Sequence, residues 1–336
     1  MNIKIMKSTL ILFCLVPVVL IAQIETTSFA GRGKVGTAGL QFLKIGVSAR
    51  AVGMGEAFIS LADDGSAMFY NPAGLNQIKQ REVFFTHTEW PAGINYEYLG
   101  ACMPVTGIGI VGAQVAVLTT GDMKRTVPYV GWTGEYFSAT DWSMGISVAR
   151  MLTDKFSIGG TVKMVSEWLD GENLTIVAAD FGTLFDIGVR GLKFGMSVSN
   201  FGGNAKFIKE GFSLPICFKF GGVVDVIKND LHYMRATVEG AHPNDNLEQI
   251  AMGVEYIFNN FFALRSGYRQ FVRLTDKDEL VRVNGAEFDA DEPLEGLSLG
   301  FGVNVSVKKL TTKIDYSYSD LGFLDFGQRF TVSFQF

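Results

Sequence analysis

The sequence predicts an all-β fold, a transmembrane barrel of fourteen antiparallel strands with an N-terminal hatch or plug segment in its lumen. Three observations predict it. Apolar and polar side chains take turns with a period of two over segments of about ten residues, the length at which tilted strands cross a bilayer. Ionisable residues fall on the polar phase of those segments, and the connections between them alternate between long and short.

Composition agrees. Of 336 residues, 48% are hydrophobic and 19% charged, and Gly (39) and Phe (28) are abundant while Pro (8) is scarce, a balance that suits many strands and tight turns. A net charge of −5 without any Lys/Arg-rich run excludes a nucleic-acid partner.

The first element is a targeting segment, residues 1–22: Lys4 and Lys7 precede an apolar run over 10–21 that is too short for a membrane helix. It implies export by the general secretory route. Cleavage could follow Ala22, directly after the apolar run, or Ala30, where Ser28 and Ala30 give the small-x-small pattern. Cys14 leaves with the signal, and Phe13 before it does not suit a lipid-attachment site.

Residues 23–81 lack sustained alternation and are too long for a leader, so they are expected to fill the lumen of a barrel formed by 82–336; fourteen strands enclose more room than their own side chains fill. In this segment Asp63 or Asp64 is placed to cap a short helix through Ser66 to Tyr70, and Asn71-Pro72 ends it, because a residue before proline is driven out of helical geometry. Pro72-Ala73-Gly74 then turns toward the first strand.

Strands are expected to begin near positions 82, 95, 107, 140, 155, 174, 193, 212, 231, 247, 261, 296, 310 and 327. In the clearest, Leu297, Leu299, Phe301, Val303 and Val305 alternate with Ser298, Gly300, Gly302, Asn304 and Ser306. Lys163, Asp180, Asp186, Lys219, Arg235, Glu255, Arg265, Lys313 and Asp315 all take the polar phase, which matters because Lys or Arg on the lipid face near mid-membrane costs roughly 2–4 kcal/mol. Long connections at 119–139, 201–211 and 271–295 share one parity, the external one if the first strand runs outward. The same alternation points Cys102 outward and Cys217 inward, which argues against a bridge. Trp90, Tyr98, Trp142, Trp168, Tyr256, Tyr268 and Tyr318 read as interfacial girdles.

Searching for chemistry finds little. Gly53-Met54-Gly55 lacks the third glycine and the Lys-Ser/Thr of a phosphate loop. His87, read as a lumen or rim residue, His232 and His242 have no zinc-pair spacing, and no GxSxG elbow exists. The acidic positions Asp245, Asp276, Asp278, Glu279, Asp289, Asp291 and Glu292 do not match a calcium loop. The chain is expected to be no enzyme, with no cofactor and no metal.

Four strings carry a resemblance: Leu40-Gln41-Phe42-Leu43-Lys44-Ile45-Gly46, then Ala49 to Phe58 with Gly53-Met54-Gly55, then Ala62-Asp63-Asp64, then Asn71-Pro72-Ala73-Gly74-Leu75. In this order and spacing they resemble the PorV/PorQ group of the FadL-like superfamily, also described as UPF0164-type barrels. The resemblance implies an outer-membrane barrel of a Gram-negative bacterium, with FadL-like passage of hydrophobic compounds. The alternative it implies is a type IX secretion component that binds secreted cargo or the translocon at the cell surface. Under it, Gly53, Gly55, Asp63, Asp64, Asn71, Pro72, Ala73 and Gly74 form a hatch motif that either gates the lumen or packs as a static plug. The aromatic end, Phe334 and Phe336, resembles the signal by which outer-membrane barrels are assembled. Partners implied are outer-membrane lipid, the barrel assembly machinery, and hydrophobic small molecules or type IX components.

Overall fold

A computed structural model describes residues 34–206, 209–272, 281–283, 286–288 and 296–336. Its strands close into one antiparallel barrel. In chain order they are β1 (Glu82–Trp90), β2 (Ile94–Val105), β3 (Gly109–Thr119), β4 (Ala139–Thr153), β5 (Phe156–Leu169), β6 (Glu172–Asp186), β7 (Lys193–Gly202), β8 (Cys217–Lys228), β9 (His232–Pro243), β10 (Glu248–Phe258), β11 (Phe262–Val272), β12 (Leu297–Val307), β13 (Leu310–Asp320) and β14 (Phe326–Gln335). Each pairs with its sequence neighbour, and β14 returns to β1 in the register Phe85↔Val332, so no strand edge is left open.

The alternation sorts side chains as the sequence requires. Lys163, Asp180, Arg235, Glu255, Arg265 and Asp315 are buried inside, while Ile146, Val162, Val177, Phe181 and Phe301 stand on the outer face at 47% exposure or more. An apolar belt of this extent is stable against hydrocarbon and not against water. One end carries the tight turns. The other carries the long connections, two of which form ribbons of their own: Met123–Val127 with Gly131–Phe137, and Ala205–Lys206 with Gly211–Phe212. At this loop end β5 and β6 meet through Asp170-Gly171, both with positive φ (51° and 87°), the conformation a two-residue hairpin needs.

Two expectations are corrected. The eighth strand begins at Cys217 and not near 212, because Phe212 joins the small ribbon, Leu214 is fully buried, and Pro215 has no amide for a ladder. Cys102 faces inward, 4% exposed on the same phase of β2 as Tyr96 and Tyr98; both phases of β2 mix polar and apolar residues, so periodicity could not fix the face. Cys102 and Cys217 are both free thiols.

Residues 40–78 occupy the lumen. They form short turns, Gln41–Lys44 and Pro72–Gln77, and two one-turn helices, α1 (Ala49–Val52) and α2 (Ala67–Tyr70). α1 packs on β12, β13 and β14, whereas the 72–77 turn packs on β4, β5 and β6, so the segment spans from one wall to the other. Its Leu43, Val47, Met54, Phe58, Leu61, Met68 and Leu75 make one apolar cluster with Phe84, Tyr96 and Tyr98 of the wall.

Candidate functional site

Buried ion pairs fasten the segment to the barrel wall. The Arg50 guanidinium donates from Nε and Nη2 to both oxygens of Glu255 (2.8 and 3.0 Å), and from Nη1 to Asp63 and Asp64 (2.6 Å each). Arg235 reaches Asp63 (2.8 Å) and Glu255, and Arg265 joins Glu255 (2.8 Å) to Asp315 (2.7 Å). Bidentate, charge-assisted contacts of this kind are the geometry that lets buried carboxylates stay ionised. Burial pushes the Asp63 carboxyl upward, but Arg50 and Arg235 outweigh it and hold it below its ordinary range. Toward the loop end, Arg269 pairs with Glu56 (2.9 Å); Glu239 accepts the Phe58 and Ile59 amides (2.9 and 3.0 Å) and pairs with Lys219 (3.3 Å). Burial likewise raises Glu56, and Arg269, Lys219 and Arg329 lower it by more.

Glycines in the wall receive the segment. A Cβ on Gly267 would land on the backbone between Met54 and Gly55, one on Gly159 on the Pro72-Ala73 peptide, and one on Gly182 on the Asn71 carboxamide oxygen. Gly53 meets Gly300 backbone to backbone, and Gly74 lies against the Ala62 carbonyl. Asn71 donates to Ile59 and Thr183 carbonyls (2.9 and 3.0 Å) and accepts from the Ala73 amide (3.2 Å), ending α2 as the Asn-Pro step requires. Asp64, and not Asp63, accepts the Ser66 amide (3.0 Å) ahead of α2. The motif residues are thus brought together in two groups: Gly53, Gly55, Asp63 and Asp64 near β10–β13, and Asn71, Pro72, Ala73 and Gly74 near β4–β6. Arg50, their hub, was not among the expected site residues. A lone arginine before two aspartates, in a segment bound for a lumen lined with charges, was the available signal.

A cavity of about 590 Å³ lies between this segment and the wall at the loop end. Leu40, Phe42, Phe69, Trp90, Ile94 and Leu118 give it apolar sides, and Lys163, Lys219 and Arg269 line its floor. A second, more polar cavity of about 570 Å³ lies at the turn end, against Arg50, Asp63, Lys193 and Lys313. The segment and its ion pairs stand between the two.

Other expected positions are placed as follows. Trp90 lines the loop-end cavity and stacks under Arg329, and Tyr98 is buried against Phe84; neither is a girdle residue, because both face a filled lumen. Trp168, Tyr268 and Tyr318 are exposed on the outer side. His87 lies on the outer phase of β1, three residues from its loop end, bonded to Glu97 (2.5 Å), and so not in the lumen; His232 bonds Tyr256 and His242 bonds Glu248. Asp245 bonds Gln41 and Lys44. Phe334 and Phe336 are exposed at the end of β14. Residues 1–33 and the remaining acidic loop positions, Asp276 to Glu279 and Asp289 to Glu292, lie outside the described residues.

No protein-family model matches the chain, and no curated protein does. It is similar to solved barrels: the toluene transporter TodX of Pseudomonas putida (TM-score 0.58, 12% identity), the toluene transporter TbuX of Ralstonia pickettii (0.55, 12%) and a FadL homologue of Pseudomonas aeruginosa (0.52, 12%). In each case the match covers 86% of this chain and 98% of the other. At this identity the likeness is one of fold.

Proposed function

We propose that this chain is an exported outer-membrane barrel, non-enzymatic, through which hydrophobic compounds pass. The observation that carries this reading is the loop-end cavity, which offers aromatic and aliphatic sides in a barrel of the same fold as the toluene transporters. Residues 1–22 serve as its export signal and Phe334 and Phe336 as its assembly signal, and outer-membrane lipid surrounds its apolar belt. The segment around Gly53 to Gly74 is its hatch. Passage past so fully bonded a segment calls for local rearrangement near the cavity and not for wholesale ejection.

A second reading, the PorV/PorQ-type role in type IX secretion, is favoured by the 123–137 hairpin. Its Tyr129, Val130, Trp132 and Tyr136 are all more than half exposed at the loop end, a surface of the kind that docks a protein partner. A deletion strain separates the two. Impaired uptake of monoaromatic or long-chain compounds with intact secretion is the expected outcome; lost secretion with normal uptake would reject passage in favour of the secretion role.

A further inference from the structure

We propose that the turn-end cavity is a binding site for a small water-soluble anion, a multivalent carboxylate or a phosphate, separate from any apolar ligand of the loop-end cavity. This goes beyond the passage reading and does not depend on it. Arg50, Lys79, Lys193, Arg235, Arg265 and Lys313 line the cavity against two carboxylates, Asp63 and Glu255. Both carboxylates are committed to arginine: Glu255 to Arg50, Arg235 and Arg265, and Asp63 to Arg50 and Arg235.

The lysines are left over. Among the described residues, Lys79 and Lys313 have no ion-pair or hydrogen-bond partner, and Lys193 donates only to the neutral Gln77 carboxamide. Of the carboxylates beside them, Asp186, opposite Lys193 in the β6–β7 register, accepts the Gly188 amide (2.7 Å). Glu82, within the field of Lys313, accepts from the Gln335 carboxamide (3.1 Å). Neither lines the cavity. Lys193 and Lys313 are half-buried, and a charge drawn partly out of water is costly until a counter-charge reaches it. Losing a proton offers no ready relief, because lysine titrates about three units above neutrality. An incoming anion does.

The arginine side of the cavity is short of an acceptor as well. Arg235, 6% exposed, holds Asp63 and Glu255 through its terminal nitrogens, while its Nε–H is enclosed and has no partner. Buried donors are normally met, so this one is a deficit independent of the lysines. Asn304, directly opposite Lys313 across β12 and β13, adds a carboxamide whose side chain is unbonded among the described residues. A ligand built of acceptor oxygens suits these deficits, whereas a cation or a hydrocarbon suits none of them. Lys193 on β7 and Lys313 on β13 stand to either side of Arg235 on β9 and Arg265 on β11, a spread of positive charge that favours more than one anionic group on the ligand.

The test uses full-length protein in nanodiscs of zwitterionic lipid at low ionic strength, with inorganic phosphate, citrate and acetate titrated by calorimetry against empty nanodiscs. Expected is saturable binding of phosphate or citrate about tenfold or more tighter than acetate, weakened about tenfold when Lys193→Gln and Lys313→Gln are combined. Heat-modifiable gel migration reports that the variants are folded. Lys309→Gln, which removes an exposed lysine at the same end outside the cavity, should leave binding unchanged. The tighter of phosphate and citrate identifies the anionic group, and either supports the site. Absence of saturable binding to the unaltered protein overturns it without recourse to any variant. Equal weakening by Lys309→Gln, or equal affinity for all three anions, also overturns it in favour of diffuse surface attraction.

Discussion

Arg50 is bonded to three carboxylates at once, two on its own segment and one on the wall. Replacing it with Met leaves those charges short of a counter-ion in a buried site, a loss of about 3–5 kcal/mol. The urea midpoint of the purified barrel should fall accordingly, and Glu255→Gln added to Arg50→Met should recover part of it. Acid acts on the same group of residues. Asp63 and Glu56 are held below their ordinary values, so their contribution is fully present above the unfolded-state values of about 4 and is lost as pH falls through the folded ones. The urea-midpoint difference between the unaltered protein and Asp63→Asn should stay level from pH 7 to about 5 and then shrink. That network was not legible in the sequence, because Arg50 and Glu255 are 205 positions apart and pattern says nothing of pairing at that separation. The inward placement of Glu255, Arg265 and Asp315 was legible, since a charge on the lipid side is costly. The inward faces of Cys102 and Tyr98 were not legible for a converse reason: aromatic and small residues suit a packed lumen as well as a lipid face.

At the level of elements, the wall strands and the segment are shaped to each other. Gly267 in β11 and Gly159 in β5 leave room for segment backbone, and alanine there would overlap main chain that cannot swing aside as a side chain does. Gly267→Ala should cost about 1–3 kcal/mol by overpacking and expose residues 49–58 to limited proteolysis in the folded barrel. Gly203→Ala, with open space around it, should change neither readout. In the sequence these glycines looked like ordinary members of the polar phase. Their role as sockets depends on what lies across the lumen, which alternation along one strand cannot report. Strand positions themselves came within three residues of expectation except at β8, where a proline and a local ribbon displaced the start.

For the whole molecule, the two faces of the wall set the solvent each can meet. Val162 and Lys163 are adjacent at the middle of β5, the first 62% exposed outside and the second buried inside beside Asp180. Val162→Arg should reduce the free energy of folding into lipid vesicles by about 2–4 kcal/mol, measured by denaturant titration, a depth-dependent cost that the inward Lys163 does not incur. Fourteen strands and their closure were readable because most crossings repeat one rule, and those that blur it, such as β2, are flanked by ones that do not.

The last strand does more than complete that circle. Thr331 of β14 meets Thr86 of β1 (2.8 Å) and also accepts the Ala49 amide (2.9 Å), while Arg329 donates to the Gly46 carbonyl (3.1 Å). The seam between the first and final strands and the seat of the interior segment thus share one hydroxyl. A barrel that closed around a vacant or wrongly threaded interior would carry a weakened seam, so the join itself acts as a checkpoint on how the inside was filled.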